Sequence, residues 1–548
     1  MSTTKSQTFV RGAFFMAAAG IVSKILGVVY VVPLQNMIGN YGMGLYQLAY
    51  ALYVVMLYIA LAGFPLALSK AVAERTVVND YDGAEQTFRV SVRLMGITGV
   101  VSFLLMYAGA PLFATIGGNQ DATLAIRALS FAVLVVPVLA AFRGYLQGHQ
   151  QMAPSGTSQV VEQLVRVGVI LVGTYLVLQS GRGVSFGAAT ATFGGAVGAL
   201  ASLILVAYSV QKMRRRFRHR LTGRNTEDDR AVRRKLIRYA IPISLASLVL
   251  PIAQLVDYST VINLLKWIGW TEYDATGAYG VLTNDGYRLI QLPVTLATAI
   301  GTSLLPAVSE AISARNDRLL RERIDISFRL MSLTLFPATA VLFLLAEPID
   351  IMLFRHTDGV QVMRIVSFMG IFMSFEIITT YMLQGIGRMY LPVRNMLTGT
   401  ACKLVINVAL IPLLGIEGAA ISAALAYVVS AWLNLRSVFS ITGVRLNLGM
   451  MLTRPLAATV LTGLPLWGGY RLLHALLQGT IASERLLATV ELAIVLPLSV
   501  LFYGILTLLI GSVSLTELLY IPKIGSRINR LLARFPWLVK EEKRRKRP

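Results

Sequence analysis

Seven charged side chains stand inside otherwise apolar stretches: Lys24, Arg166, Arg288 and Lys403 are cations, and Asp257, Glu162 and Glu376 are acids. A Lys, Arg or Asp at the centre of a bilayer costs about 2.5–3.5 kcal/mol on insertion scales, so each faces a partner or a water-filled cavity. Cations converging on such a cavity would bind an anionic ligand. Arg in particular can grip a phosphate through two parallel hydrogen bonds. The acids would pair with the cations or carry a coupling ion.

Lys24 lies near the middle of the first apolar stretch, with Gly20 and Gly27 on about the same helical face. Small neighbours leave room for a ligand, although an ion pair with an acid on another helix would also account for this lysine. Arg288 sits in Tyr287-Arg288-Leu289-Ile290-Gln291-Leu292-Pro293, and Asp257 is expected at a similar depth on the preceding, oppositely directed stretch, so the two could pair. Glu162 and Arg166 are spaced four apart, with Glu first, the favourable order for a helical pair. That pair also reads as plain local neutralisation. Lys403 occupies the matching stretch of the second half and Glu376 lies deep in its own. Arg127 and Arg364 fall at stretch ends, where long side chains snorkel to the interface.

The elements that carry these groups are membrane helices. With 55% hydrophobic and 14% charged residues over 548 positions, and a mean hydropathy of +0.66, the chain is far from the roughly 25% charge of soluble domains. Runs of about 20 apolar residues give fourteen expected spans. They cover approximately 9–33, 44–68, 88–110, 123–147, 157–179, 184–210, 239–263, 281–306, 328–346, 361–385, 393–414, 417–441, 452–476 and 487–511. The fold class is therefore all-α and polytopic. Its pattern is written twice: Ala71-Val72-Ala73-Glu74 returns as Ala307-Val308-Ser309-Glu310, and Leu146-Gln147-Gly148 returns as Leu383-Gln384-Gly385. The offsets are 310 − 74 = 236 and 384 − 147 = 237. Six spans per copy give a parallel repeat, an architecture found among transporters.

This division predicts a six-span half over 1–210, a basic linker over 211–238, a second half over 239–441, two extra spans within 442–511 and a basic amphipathic tail over 512–548. Despite a net charge of +23, the cations cluster in alternate loops rather than on one face, which argues for topology and against nucleic acid. The rich loops lie at 70–93, 212–238 and 315–329 and in the tail, placing both termini in the cytoplasm. The linker reads first as a topology anchor, with contact to anionic lipid headgroups as the alternative. Gly12, Gly20, Gly27 and Pro33, Gly63-Phe64-Pro65, Pro242 and Pro251, and Pro293 and Gly301 mark expected bends in the first two spans of each half.

There is no G-x-x-x-x-G-K-[ST] loop and no H-E-x-x-H helix, and the four histidines lack metal-ligand spacing. Neither catalysis nor a metal or cofactor is expected. The driving force would then come from membrane potential or a monovalent ion.

The motifs Ser23-Lys24-Ile25-Leu26-Gly27, Arg143-Gly144-Tyr145-Leu146-Gln147-Gly148, Arg288-Leu289-Ile290-Gln291-Leu292-Pro293 with Ser303-Leu304-Leu305-Pro306, and Leu383-Gln384-Gly385-Ile386-Gly387-Arg388 resemble the multidrug/oligosaccharidyl-lipid/polysaccharide (MOP) exporters. Within them the match is closest to the polysaccharide-export branch that holds stage V sporulation protein B and the MurJ-type lipid II flippases of Gram-positive bacteria. The resemblance spans nearly the whole chain. It implies movement of an undecaprenyl-pyrophosphate-linked glycan, foremost the peptidoglycan precursor lipid II, from the inner to the outer leaflet of the bacterial cell membrane. It further implies that Lys24 and Arg288 stand where family arginines line a cationic cavity, and that the last two spans hold the polyprenyl tail. Tyr30 stands where many flippases carry a second arginine, and Tyr287 replaces an acid common before the second-half arginine. Partners implied are the lipid-linked oligosaccharide, membrane lipids and the cell-wall synthesis machinery. Two alternatives stay open: export of another lipid-linked polysaccharide unit, and an ion-coupled multidrug antiporter, for which Asp257 and Glu376 would supply an acidic cavity.

Overall fold

A computed structural model describes residues 29–61, 63–217, 227–247, 249–443 and 452–512, with shorter pieces between 15 and 27. Lys24, the middle of the linker and the tail beyond 512 lie outside the described residues. Every described element is helical. Among the described residues, eleven helices are long and apolar enough to cross a membrane. One of them, Ala18–Val77, covers the second expected span and the later part of the first, so the eleven correspond to twelve of the fourteen. The seventh span corresponds to Asp229–Ser247 and Val249–Trp267, and the thirteenth to Arg454–Leu477. Many large apolar side chains point outward, Leu413, Leu464 and Val500 among them, as a lipid-facing surface requires.

The chain forms two compact units, 1–284 with 407–416 and 285–406 with 417–548. In the first, Phe64, Leu68, Val72, Phe88, Met95, Leu139, Tyr145 and Leu146 share a core, with Phe88 edge-on to Phe142 at 5.0 Å. In the second, Leu304, Val308, Phe328, Met331, Leu335, Ile378, Met382 and Leu383 do the same. Core positions recur at the repeat offset: 304 − 68 = 236, 308 − 72 = 236, 331 − 95 = 236 and 383 − 146 = 237.

The turns repeat as well. Asp80 caps the helix Tyr81–Ala108 by accepting from Gly83 N, and Asn316 caps Asp317–Leu344 by accepting from Leu319 N. Just before each cap, Asn79 and Arg315 adopt left-handed backbone, at φ 60° and 50°. An exposed N–H group at each helix start thus finds a short polar side chain, as helix ends demand.

Glycine sets how closely these helices cross. A Cβ on Gly148 would lie 2.7 Å from Val72 Cβ and 2.8 Å from the Ser69 carbonyl, and one on Gly385 would lie 3.0 Å from Val308 Cβ and 2.9 Å from the Leu305 carbonyl. The same crossing is built twice. A neighbouring one is built with the small residue exchanged: Gly144 lies against Pro65, whereas its counterpart Tyr381 lies against Gly301. Gly148→Ala and Gly385→Ala are therefore each expected to destabilise the protein by about 1–3 kcal/mol through overpacking. Melting of the purified variants in detergent checks this, and a wild-type Tm for either would remove the close-crossing account.

Within the first unit, Glu272–Gly280 packs against Val31–Leu61 by a symmetric approach. A methyl group on Gly44 would overlap the Thr276 carbonyl, and one on Gly280 would overlap the Asn40 carbonyl. Both relations carry the repeat offset, 280 − 44 = 236 and 276 − 40 = 236. Tyr41 stacks on Tyr273 beside this crossing with ring centroids 4.4 Å apart. The chain turns at Gly39, whose φ of 67° breaks the long helical run between the first and second expected spans.

Candidate functional site

Arg288 opens the helix Tyr287–Ser313, directly after a π-helical segment, Val281–Gly286. Wide π turns are rare and recur at functional sites. Its guanidinium is half-buried, and among the described residues its buried Nη1 has no hydrogen-bond partner. Lys403, buried on Tyr390–Leu414, places its ammonium 5.7 Å from the centroid of the Tyr287 ring. Tyr287 thus offers its electron-rich face to a lysine, a contact worth about 2 kcal/mol when desolvated. Two of the expected cations are brought to one side chain and its sequence neighbour.

The first unit holds the other cluster. Glu162 Oε1 accepts from Arg166 Nη2 at 2.7 Å, and Glu162 Oε2 accepts from Arg143 Nη2 at 2.8 Å. Arg143 is held further by donating from Nε to Ser158 Oγ at 2.9 Å and from Nη2 to Ser202 Oγ at 2.8 Å. Sequence reasoning found the Glu162–Arg166 pair but treated Arg143 only as part of a motif. One carboxylate between two guanidiniums leaves a net positive charge, and Arg166 Nε is buried without a hydrogen-bond partner. Gly198 admits this cluster: a Cβ there would lie 2.6 Å from the Glu162 carbonyl. A π-helical segment, Val169–Gly173, follows Arg166 within one turn. Both candidate arginines therefore flank π turns, which no periodicity in the sequence announced.

Asp257 belongs to the first unit and Arg288 to the second. Asp257 is buried and accepts from Asn407 Nδ2 at 3.3 Å, and the same amide donates to Thr260 Oγ1 at 2.8 Å. Glu376 is buried in Val360–Gly385, where Thr380 Oγ1 donates to its Oε1 at 2.8 Å, and among the described residues it has no salt bridge. Asn434 ties this site to Thr380 at 3.1 Å, and Asn395 donates to Asn434 at 2.9 Å. Tyr30 shares a hydrogen bond with Tyr46 at 2.9 Å. Between Arg454–Leu477 and Glu484–Leu509 runs an apolar groove of about 500 Å³, lined by Leu466, Leu473, Leu476, Val495, Leu498 and Phe502 among others.

Residues 9–312, more than half of the chain, match the family model described as polysaccharide biosynthesis protein, and residues 242–409 match the MatE model. The lipid II flippase MurJ of Bacillus subtilis (strain 168) is 30% identical over 78% of this chain and 81% of its own length. The chain belongs to the polysaccharide-export branch of the MOP exporters. This MOP exporter is also 31% identical to an uncharacterized membrane protein, YabM, of the same organism, over 78% of this chain and 79% of that one. A solved structure titled lipid II flippase MurJ, inward closed conformation, superposes with a TM-score of 0.66, covering 90% of this chain and 99% of that chain at 14% identity. At that identity the likeness speaks for the fold alone. As a MOP exporter the chain is an integral multi-pass membrane transporter rather than a catalyst.

Proposed function

We propose that this MOP exporter is an alternating-access flippase that carries an undecaprenyl-pyrophosphate-linked glycan, lipid II in the first place, from the inner to the outer leaflet of the bacterial cell membrane. The observation that carries the reading is the unpartnered, buried Nη1 of Arg288, one residue from the tyrosine under Lys403. Cationic donors already withdrawn from water bind a pyrophosphate more strongly than solvated ones. The Arg143–Glu162–Arg166 cluster adds a second net positive centre. The groove between the last two helices suits a polyprenyl tail, because it is lined by aliphatic and aromatic side chains. Coupling to the membrane potential or a monovalent ion, and cytoplasmic placement of both termini, complete the proposal.

Purified full-length protein in nanodiscs is expected to bind lipid II or undecaprenyl pyrophosphate, with a saturable rise in Tm by mass action. Ethidium is expected to leave Tm unchanged. Saturable ethidium binding without a response to the polyprenyl lipid would instead favour the antiporter reading, in which the buried acids Asp257 and Glu376 receive a cation.

A further inference from the structure

Three side chains converge at the start of the second unit. Asp285 and Asp350 are both completely buried, His356 is partly buried, and one ligand atom from each lies within 4.8 Å of the others. His356 Nε2 is 3.8 Å from Asp285 Oδ2, and His356 Nδ1 is 3.6 Å from Asp350 Oδ2. Two carboxylates this close and this buried repel each other unless positive charge stands between them. Asp350 Oδ2 accepts from Gly359 N at 2.9 Å, but its Oδ1 has no hydrogen-bond partner.

That oxygen lies close against a glycine. A Cβ on Gly359 would lie 3.0 Å from Asp350 Oδ1 and 2.9 Å from Asp285 Oδ2, so the absence of a side chain there lets the backbone approach both carboxylates. The pocket attracts positive charge.

The repeat shows that packing does not require these acids. At the offset of 236, Asp285 corresponds to Ala49 and Asp350 to Ala114, since 285 − 49 = 236 and 350 − 114 = 236. Both alanines are completely buried. The helix Ala110–Gly117 is also the counterpart of Ala346–Phe354. The first half thus builds the same corner with methyl groups, and the second half alone places carboxylates there beside an imidazole.

We infer that Asp285, Asp350 and His356 form a binding site for a divalent transition-metal ion of the zinc or manganese class. Imidazole nitrogen with carboxylate oxygen is a donor set for these ions, whereas magnesium and calcium take oxygen alone. Ligand atoms about 3.4 Å apart surround a tetrahedral zinc held at about 2.1 Å, and here one ligand atom from each of the three residues lies within 4.8 Å of the others, so modest side-chain rotation closes the set around one ion. Asp358, exposed and 3.9 Å from His356 Nδ1, stands near enough to complete the set together with water. The bound ion fastens the turn that leads to Arg288 to the helix Ala346–Phe354 and to the loop after it. The site stands independently of which lipid is carried.

The test uses untagged full-length protein, stripped by a chelator and then titrated with Zn²⁺, Mn²⁺, Mg²⁺ or Na⁺, with metal content and Tm as readouts. One Zn²⁺ or Mn²⁺ per chain is expected, with a saturable rise in Tm. His356→Gln, Asp350→Asn and Gly359→Ala should each weaken it at least about tenfold, the cost typical even of outer-shell changes. His149→Gln and His474→Gln should not. His356→Gln keeps the test decisive should Asp350→Asn fail to fold, because His356 is partly exposed. Absence of stoichiometric metal, an unchanged affinity in His356→Gln, or an equal response to Mg²⁺ or Na⁺ would overturn the assignment.

Discussion

Arg288→Ala is expected to abolish export of the lipid-linked precursor while leaving the protein folded and inserted. A hydrogen bond to a charged group contributes about 1.5–3 kcal/mol, so losing this guanidinium should weaken pyrophosphate-lipid binding by roughly 10- to 150-fold. Stability should change little, because Nη1 makes no hydrogen bond among the described residues. Arg288→Lys retains the charge but not the fork of parallel donors and should fall between the two. Lys24→Ala should likewise stop export, with Lys24→Arg better tolerated. Binding of fluorescent lipid II in nanodiscs and complementation of a flippase-deficient strain measure these effects. Wild-type complementation by Arg288→Ala would remove that residue from the site.

Glu162→Ala should be the most destabilising single change in the first unit. It strands the partly buried Arg143 and Arg166 together; breaking a fully buried pair from one side costs about 3–5 kcal/mol because the uncompensated charge stays behind, and partial exposure lowers that cost per charge here. Here two charges stay behind. The loss should appear as a large drop in Tm and yield, partly recovered in Glu162→Ala/Arg143→Met, where one stranded cation is removed. Arg166→Met, by contrast, leaves the Arg143–Glu162 pair intact and should weaken anion binding more than stability. If Glu162→Ala melts with the wild type, the cluster is solvated and contributes nothing to the fold.

The amino-acid sequence by itself determined the membrane class, the helix positions and the repeat. A span must be about 20 residues and apolar along its whole length, and that demand is local enough to be read from composition. The repeat was legible because Val72 and Val308 must both meet a glycine, Gly148 or Gly385, and a crossing that tight tolerates few residue types. The Glu162–Arg166 pair was legible too, since four residues make one helical turn.

Only the tertiary structure decided what reaches these groups from elsewhere. Arg143 joins Glu162 from 19 positions away, and Asn407 meets Asp257 across 150. Tyr287, which in the sequence marked only a missing acid, proves to be the ring beneath Lys403. The π turns beside Arg166 and Arg288 depend on packing, not on a periodic signal. The Asp285, Asp350 and His356 cluster leaves no mark in the spacing of the four histidines, because it joins one histidine to an acid six positions before it, 356 − 350 = 6, and to another 356 − 285 = 71 positions before it. Their only trace in the sequence was the exchange of Ala49 and Ala114 for two aspartates in the second copy. Helix formation and membrane insertion follow from neighbours along the chain, whereas a site's charge balance follows from neighbours in space, and these are fixed only when the helices pack.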